Sequence, residues 1–285
     1  MAHGPPTPQP AGRPYSSLAV SLTADILAGL GTSLVVSPLV TIIDTSLTLN
    51  ASGKDSLIHA LGTGIVSIVR KPGHFLSRPS FLAVYAVFSG TYVTNNVVDT
   101  VCTHNHVNPV QPKFFIGSAA NVSLNLYKDM LFTKWFAPVA PKPLPRASYA
   151  LFALRDTMTI TTAFVMPPFA SPLLQQEPLR LSKPRADFLA QLTLPCLVQL
   201  VSAPIHLTSL DLYNNPQHTV RQRLELIGRN YIPCSFGRVL RTIPGFGVGG
   251  VLNRWGRLEL TVKLREFSTS VGQIVETQPD QFTIS

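Results

Sequence analysis

The stretch Ile26-Leu-Ala-Gly-Leu-Gly-Thr-Ser-Leu-Val-Val-Ser-Pro-Leu-Val-Thr-Ile-Ile43 runs without a charged side chain from Asp25 to Asp44. About 20 helical residues cross a hydrocarbon core of about 30 Å, so an uncharged run of this length is the mark of a membrane-spanning helix. Two more follow: Pro79 to Val98, between Arg78 and Asp99, and Phe188 to Leu210, between Asp187 and Asp211. Composition agrees. Charged residues make up 13% of the 285 residues and apolar ones 45%, where soluble domains carry roughly 25% charge.

Three further segments are apolar but carry charge: Lys113 to Phe136 around Lys128-Asp129, Arg146 to Phe169 around Arg155-Asp156, and Phe236 to Leu258 around Arg241. Charge is costly within a bilayer and faces a bundle interior or a water-filled cavity. Three plain helices with three charged ones therefore predict an all-α membrane protein of six transmembrane helices around a central cavity. Pro38 and Pro204 fall inside two of the plain helices. Each is expected to kink its helix by removing a backbone donor.

Lys and Arg outnumber Asp and Glu by 9, yet they sit singly or in small groups between apolar runs. That is the placement of residues at a lipid headgroup boundary. No zinc-finger spacing, RNA-binding signature or basic helix points to nucleic acid. Cys102, Cys196 and Cys234 have no CxxC spacing, so neither a disulfide framework nor a zinc site is implied. His104-x-His106 lacks a third metal ligand. With no nucleophile elbow or paired catalytic carboxylates, neither an enzyme nor a cofactor is expected. Gly245-Phe-Gly-Val-Gly-Gly250 follows no strand and reads as small-residue helix packing. Asp44 and Asp211 read as solvated helix ends.

Three stretches line up as an internal repeat: Ala86 to Thr91, Ala153 to Met158 and Val239 to Pro244. The last, Arg238-Val-Leu-Arg241-Thr-Ile-Pro244-Gly245, resembles the start of an even-numbered helix in mitochondrial carriers, and Leu154-Arg155-Asp156 resembles their fourth helix. The resemblance implies three tandem helix pairs: repeats at 16–105, 106–172 and 173–262, between a Pro-rich N-terminus at 1–15 and a polar tail at 263–285. The loops themselves read as a short helix over Lys54 to Val69 with a turn at Lys71-Pro72-Gly73, and as an amphipathic stretch around Arg221, Arg223 and Glu225. By the same resemblance Arg155, Asp156, Arg241 and Phe88 are substrate contacts. Pro38, Pro204, Lys128, Asp129 and Asp99 are what remains of its kinks and gates, for Val40, Ile43, His206 and Ser209 stand where its signature has charges. The alternative for Arg155 and Asp156 is an adjacent ion pair that neutralises itself, although neighbours on a helix point about 100° apart.

The function these features imply is transport of a small polar or anionic metabolite. The alternative is a carrier-fold protein that does not transport and serves as an interaction or assembly partner of other mitochondrial membrane proteins. The family implies the mitochondrial inner membrane, with the outer membrane also compatible.

Overall fold

A computed structural model describes residues 18–140, 142–162 and 166–277. The N-terminal reading of residues 1–15 lies outside them. The described residues are helical, with no strand among them. The helices are α1 (Leu18–Ala51), α2 (Leu57–Arg70), α3 (Pro72–Leu76), α4 (Pro79–His104), α5 (Val110–Phe136), α6 (Arg146–Ile160), α7 (Pro167–Leu174), α8 (Lys183–Asn214), α9 (Val220–Thr242) and α10 (Gly249–Thr277), the last two joined by a π-helical turn, Ile243–Val248. Three are long and apolar enough to cross a membrane: α1, α4 and α8. They contain the three uncharged windows.

The outward faces show which solvent the helices are built for. On α1 the exposed residues include Leu30, Leu34, Val35 and Leu39, whereas Ser33, Ser37, Thr41, Asp44 and Thr48 are buried. The buried set steps by three or four residues, the spacing of one helical face. Polar inside and apolar outside inverts the arrangement of a water-soluble helix, and it suits hydrocarbon. The pattern recurs on α8, with Leu197, Leu200 and Val201 outside and Ser202, His206 and Ser209 inside. On α9 and α10, Ile232, Phe236, Val251, Trp255 and Leu258 lie outside, and Ser235, Arg238 and Thr242 inside.

Each helix packs on the next in the order α1, α4, α5, α6, α8, then α9 and α10, which return to α1. Small side chains allow the close contacts. A Cβ on Gly29 of α1 would meet Val93 of α4 at 2.7 Å. Ser148 of α6 and Ser209 of α8 exchange hydrogen bonds, each hydroxyl donating to the other's carbonyl at 2.9 Å. Apolar contacts fill the rest, such as Val36 and Val40 on Val84 and Phe132.

The loops differ from expectation in detail. The short helix after α1 begins at Leu57, capped by the Ser56 hydroxyl, because Asp55 and Ser56 offer side-chain acceptors that Lys54 lacks. The expected turn at Lys71-Pro72-Gly73 is instead the first turn of α3, with Pro72 at its start, where a missing N–H costs nothing. The stretch around Arg221 is no separate element. Thr219 and Gln222 form a capping box, and α9 runs unbroken to Thr242. The proline-rich link after α5 is non-helical over residues 137–140 and 142–145. Its Ala137 and Leu144 pack on Phe152, Leu210 and Tyr213.

Candidate functional site

The inward stripes of α1, α5, α6, α8 and α9 converge on one buried ionic cluster. On α5 the buried positions Asn125, Lys128, Asp129, Phe132 and Thr133 form a single helical face, as do Ser148, Phe152, Arg155, Asp156 and Ile160 on α6. Lys128 Nζ donates to Asp44 Oδ2 at 2.6 Å and lies 3.0 Å from Asp129 Oδ1. Arg155, fully buried, donates from Nη2 to Asp129, and from Nε to Asp156 Oδ1 at 2.9 Å. Its Nη1 reaches His206 Nδ1 on α8 at 2.8 Å.

Arg241 joins the cluster from α9, with Nε 3.2 Å from Asp44 Oδ1 and Nη2 donating to Asn125 Oδ1 at 3.0 Å. Asn125 is bonded in turn to Asn121, and Asn121 to Thr91 of α4. Arg238, one turn before Arg241, bonds Gln199 and Ser202 of α8. In a low-dielectric interior charges persist only when paired and hydrogen-bonded, and here five helices supply the partners.

A second cluster closes the opposite end of α1. Arg257 of α10 donates from Nε to Asp25 Oδ1 at 2.7 Å and from Nη1 to Asp99 Oδ2 at 2.9 Å, and Lys113 of α5 lies 3.2 Å from Asp99 Oδ1. Asn96 and Asn253 exchange amide hydrogen bonds beside it. Asp25 and Asp44 are about 28 Å apart along the helix at 1.5 Å per residue, close to a hydrocarbon thickness. Between them the buried hydroxyls of Ser37 and Thr41 have no hydrogen-bond partner. The inner wall of α1 is thus polar along its length and ionic at both ends.

The sequence-derived site residues fall as follows. Arg155, Asp156, Lys128 and Asp129 meet in the first cluster, with Arg241 joined to it through Asp44. Phe88 sits beside it, packed on the apolar group that includes Phe132, whose ring lies under Lys128 at 5.2 Å. Asp99 belongs to the other cluster. Pro38 and Pro204 lie within α1 and α8, and Pro204 is two residues from His206.

Arg155 and Asp156 form the adjacent ion pair, the long guanidinium stem turning back across the 100° between neighbouring side chains. One expectation is corrected. Asp44 and Asp211 are not solvated ends: Asp44 is buried against Lys128 and Arg241, and Asp211 against His218 and Arg223. Sequence reading also missed His206, Arg238 and Gln199 as members of the cluster. The polar stripe of α1 was the available signal for Asp44, which continues the spacing from Ser33, Ser37 and Thr41.

A family model described as "Probable citrulline exporter" matches residues 28–261. The chain belongs to this family. The matched span contains every residue of the first cluster. No curated protein matches the chain. Membership in the exporter family overturns the resemblance to mitochondrial carriers, since it is a different family and no carrier family matches. The physical reason is that apolar spans, tolerated prolines and inward charges follow from the bilayer itself and so do not separate one family of helical membrane proteins from another. The charged signature would have separated them, and Val40, Ile43, His206 and Ser209 stand in its places. The ground for a mitochondrial inner-membrane location goes with that resemblance.

Proposed function

We propose that the chain is a multi-pass membrane transporter that exports citrulline or a closely similar neutral amino acid, binding it at the cluster of Arg155, Asp156 and Arg241. Membership in the citrulline exporter family supports the substrate class. The observation that carries the site is the convergence of both charge signs from five helices at one buried place. Citrulline carries an α-ammonium, an α-carboxylate and a neutral ureido tail, and a site for it needs an acid, a base and uncharged hydrogen-bonding groups. Asp156, the arginines, and the amides of Asn125 and Gln199 are of these kinds. Phe88 forms an apolar side to the site in this reading.

In the same reading α5, α6 and the α9–α10 helix cross the bilayer beside α1, α4 and α8, which turns their charges inward. The cluster's salt bridges exchange partners with the bound zwitterion, and the Asp25–Arg257–Asp99 cluster shuts the far end of the path. Purified protein in liposomes loaded with labelled citrulline tests this. Saturable efflux is expected, together with a rise in melting temperature when citrulline is added, since a ligand that binds only the native state stabilises it. Arg155→Ala should abolish both effects. Neither efflux nor stabilisation in the unmutated protein would remove the reading.

A further inference from the structure

The buried cations of the two clusters have carboxylate partners with one exception among the described residues. Lys128, Arg155, Arg241 and Arg257 each contact an Asp. Arg238 is 5% exposed, and its Nη2 donates only to neutral groups, Gln199 Oε1 at 2.7 Å and Ser202 Oγ at 3.2 Å. Its Nε has no acceptor. One turn earlier on α9 the buried hydroxyl of Ser235 is also without a partner. Residues three apart share a helix face, so two donors lacking acceptors stand side by side. A guanidinium keeps its charge in a protein, and a buried donor left unsatisfied is costly.

Charge counting gives the same answer. Lys128, Arg155, Arg238 and Arg241 oppose Asp44, Asp129 and Asp156 in the cluster. His206 adds no charge, because arginine has no acceptor and the bond from Arg155 requires a lone pair on Nδ1. One negative charge is missing, and the cation that lacks it is Arg238. On the facing side Asp156 Oδ2 is buried with no donor. Gln199 accepts from Arg238 and donates to Thr159 Oγ1 at 3.4 Å, one turn beyond Asp156 on α6.

We propose that Arg238 and Ser235 bind the α-carboxylate of the exported amino acid, leaving its α-ammonium to the free oxygen of Asp156. The proposal rests on the export reading above and deepens it: the substrate must present a carboxylate, so an amino acid whose carboxyl is an amide is refused. The guanidinium Nε and the Ser235 hydroxyl supply two hydrogen bonds to the two carboxylate oxygens, both charge-assisted by the ionised acceptor and the first also by the ionised donor. Arg155, by contrast, has a partner on each of its three nitrogens, from two Asp residues and His206.

The experiment compares citrulline with citrulline carboxamide in the liposome efflux assay. The unmutated protein should move citrulline and discriminate against the carboxamide. In Arg238→Gln the half-saturation concentration for citrulline should rise by at least about tenfold, the loss expected for a hydrogen bond to a charged group, while the low flux of the carboxamide falls no further. Arg238→Lys should restore part of the preference. Ser235→Ala removes one hydroxyl and should weaken citrulline binding a few-fold, which tests the site if Arg238→Gln does not fold. Flux in Arg238→Gln or Ser235→Ala with the citrulline preference unchanged overturns this proposal alone. Absence of citrulline flux in the unmutated protein overturns the export reading, and the proposal with it.

Discussion

The guanidinium of Arg155 donates from Nη1 to Nδ1 of His206 at 2.8 Å, which fixes the imidazole with its proton on Nε2. Arginine has donors only, so the histidine nitrogen facing it must hold a lone pair. His206 therefore acts in the cluster as a neutral acceptor that completes the shell of a buried cation. His206→Leu would leave that N–H without an acceptor and is expected to cost about 1–3 kcal/mol. His206→Gln keeps an acceptor oxygen and should cost less. Thermal unfolding of the two variants in the same detergent ranks them, and equal melting temperatures would contradict the role.

Lys128 neutralises two carboxylates at once, Asp44 and Asp129. Lys128→Met would leave Asp44 to Arg241 and Asp129 to Arg155, and losing one partner of a buried ionic contact costs about 3–5 kcal/mol. Replacing Asp44 as well, in Asp44→Asn with Lys128→Met, removes one of the two carboxylates that lost a partner. The double variant should then be more stable than the sum of the single losses predicts. A double-mutant cycle measured by thermal unfolding gives the coupling, and strict additivity would mean that the 2.6 Å contact contributes nothing.

The legibility of this chain in its sequence divides along physical lines. Lipid leaves its mark on composition, so the three uncharged runs could be read directly and became α1, α4 and α8. Charges inside apolar segments were also legible as inward-facing, and Lys128, Asp129, Arg155 and Asp156 do converge. What could not be read was how the partners are matched. Asp44 ends an uncharged run and looks solvated in one dimension, yet α5 and α9 bring Lys128 and Arg241 to it. Arg238 looked like a motif residue, and its lack of a carboxylate partner exists only once α8 packs against α9. The carrier resemblance went wrong for a related cause: it was carried by two short stretches, Arg238 to Gly245 and Leu154 to Asp156, set in a layout of helices and prolines that the bilayer imposes on many families.

Asp55 and His59 make an interaction of a different kind, outside the membrane-spanning helices. His59 Nδ1 lies 2.9 Å from Asp55, one turn away on α2, and the Ser56 amide donates to the same carboxylate. The bond from His59 holds the Asp55 carboxyl below its ordinary 3.8. A depressed carboxylate stabilises the fold above its unfolded pKa, and the contribution disappears as pH falls through the folded value. Asp55 is partly exposed beside the start of α2, so the effect is local to it. His59→Ala should shift the Asp55 titration upward toward the ordinary value, as read by NMR of the carboxyl carbon. An unchanged titration would remove His59 as the cause.

Gly249 opens α10 directly beneath Tyr92, whose hydroxyl donates to Gly245 O in the π-helical turn at 2.7 Å. A Cβ at Gly249 would collide with that hydroxyl and lie 3.1 Å from Pro244 O. The tyrosine thus occupies the space that a side chain at 249 would take, and its bond holds the wide turn closed against α4. Gly249→Ala should destabilise by about 1–3 kcal/mol, the usual cost of overpacking. Tyr92→Phe alone loses one hydrogen bond, about 0.5–1.5 kcal/mol. Because the phenylalanine ring lacks the oxygen that causes the clash, Gly249→Ala combined with Tyr92→Phe should lose less than the two single changes together. If thermal unfolding instead shows the two losses adding, the clash is being relieved elsewhere, and the Tyr92 hydroxyl is not what requires glycine at 249.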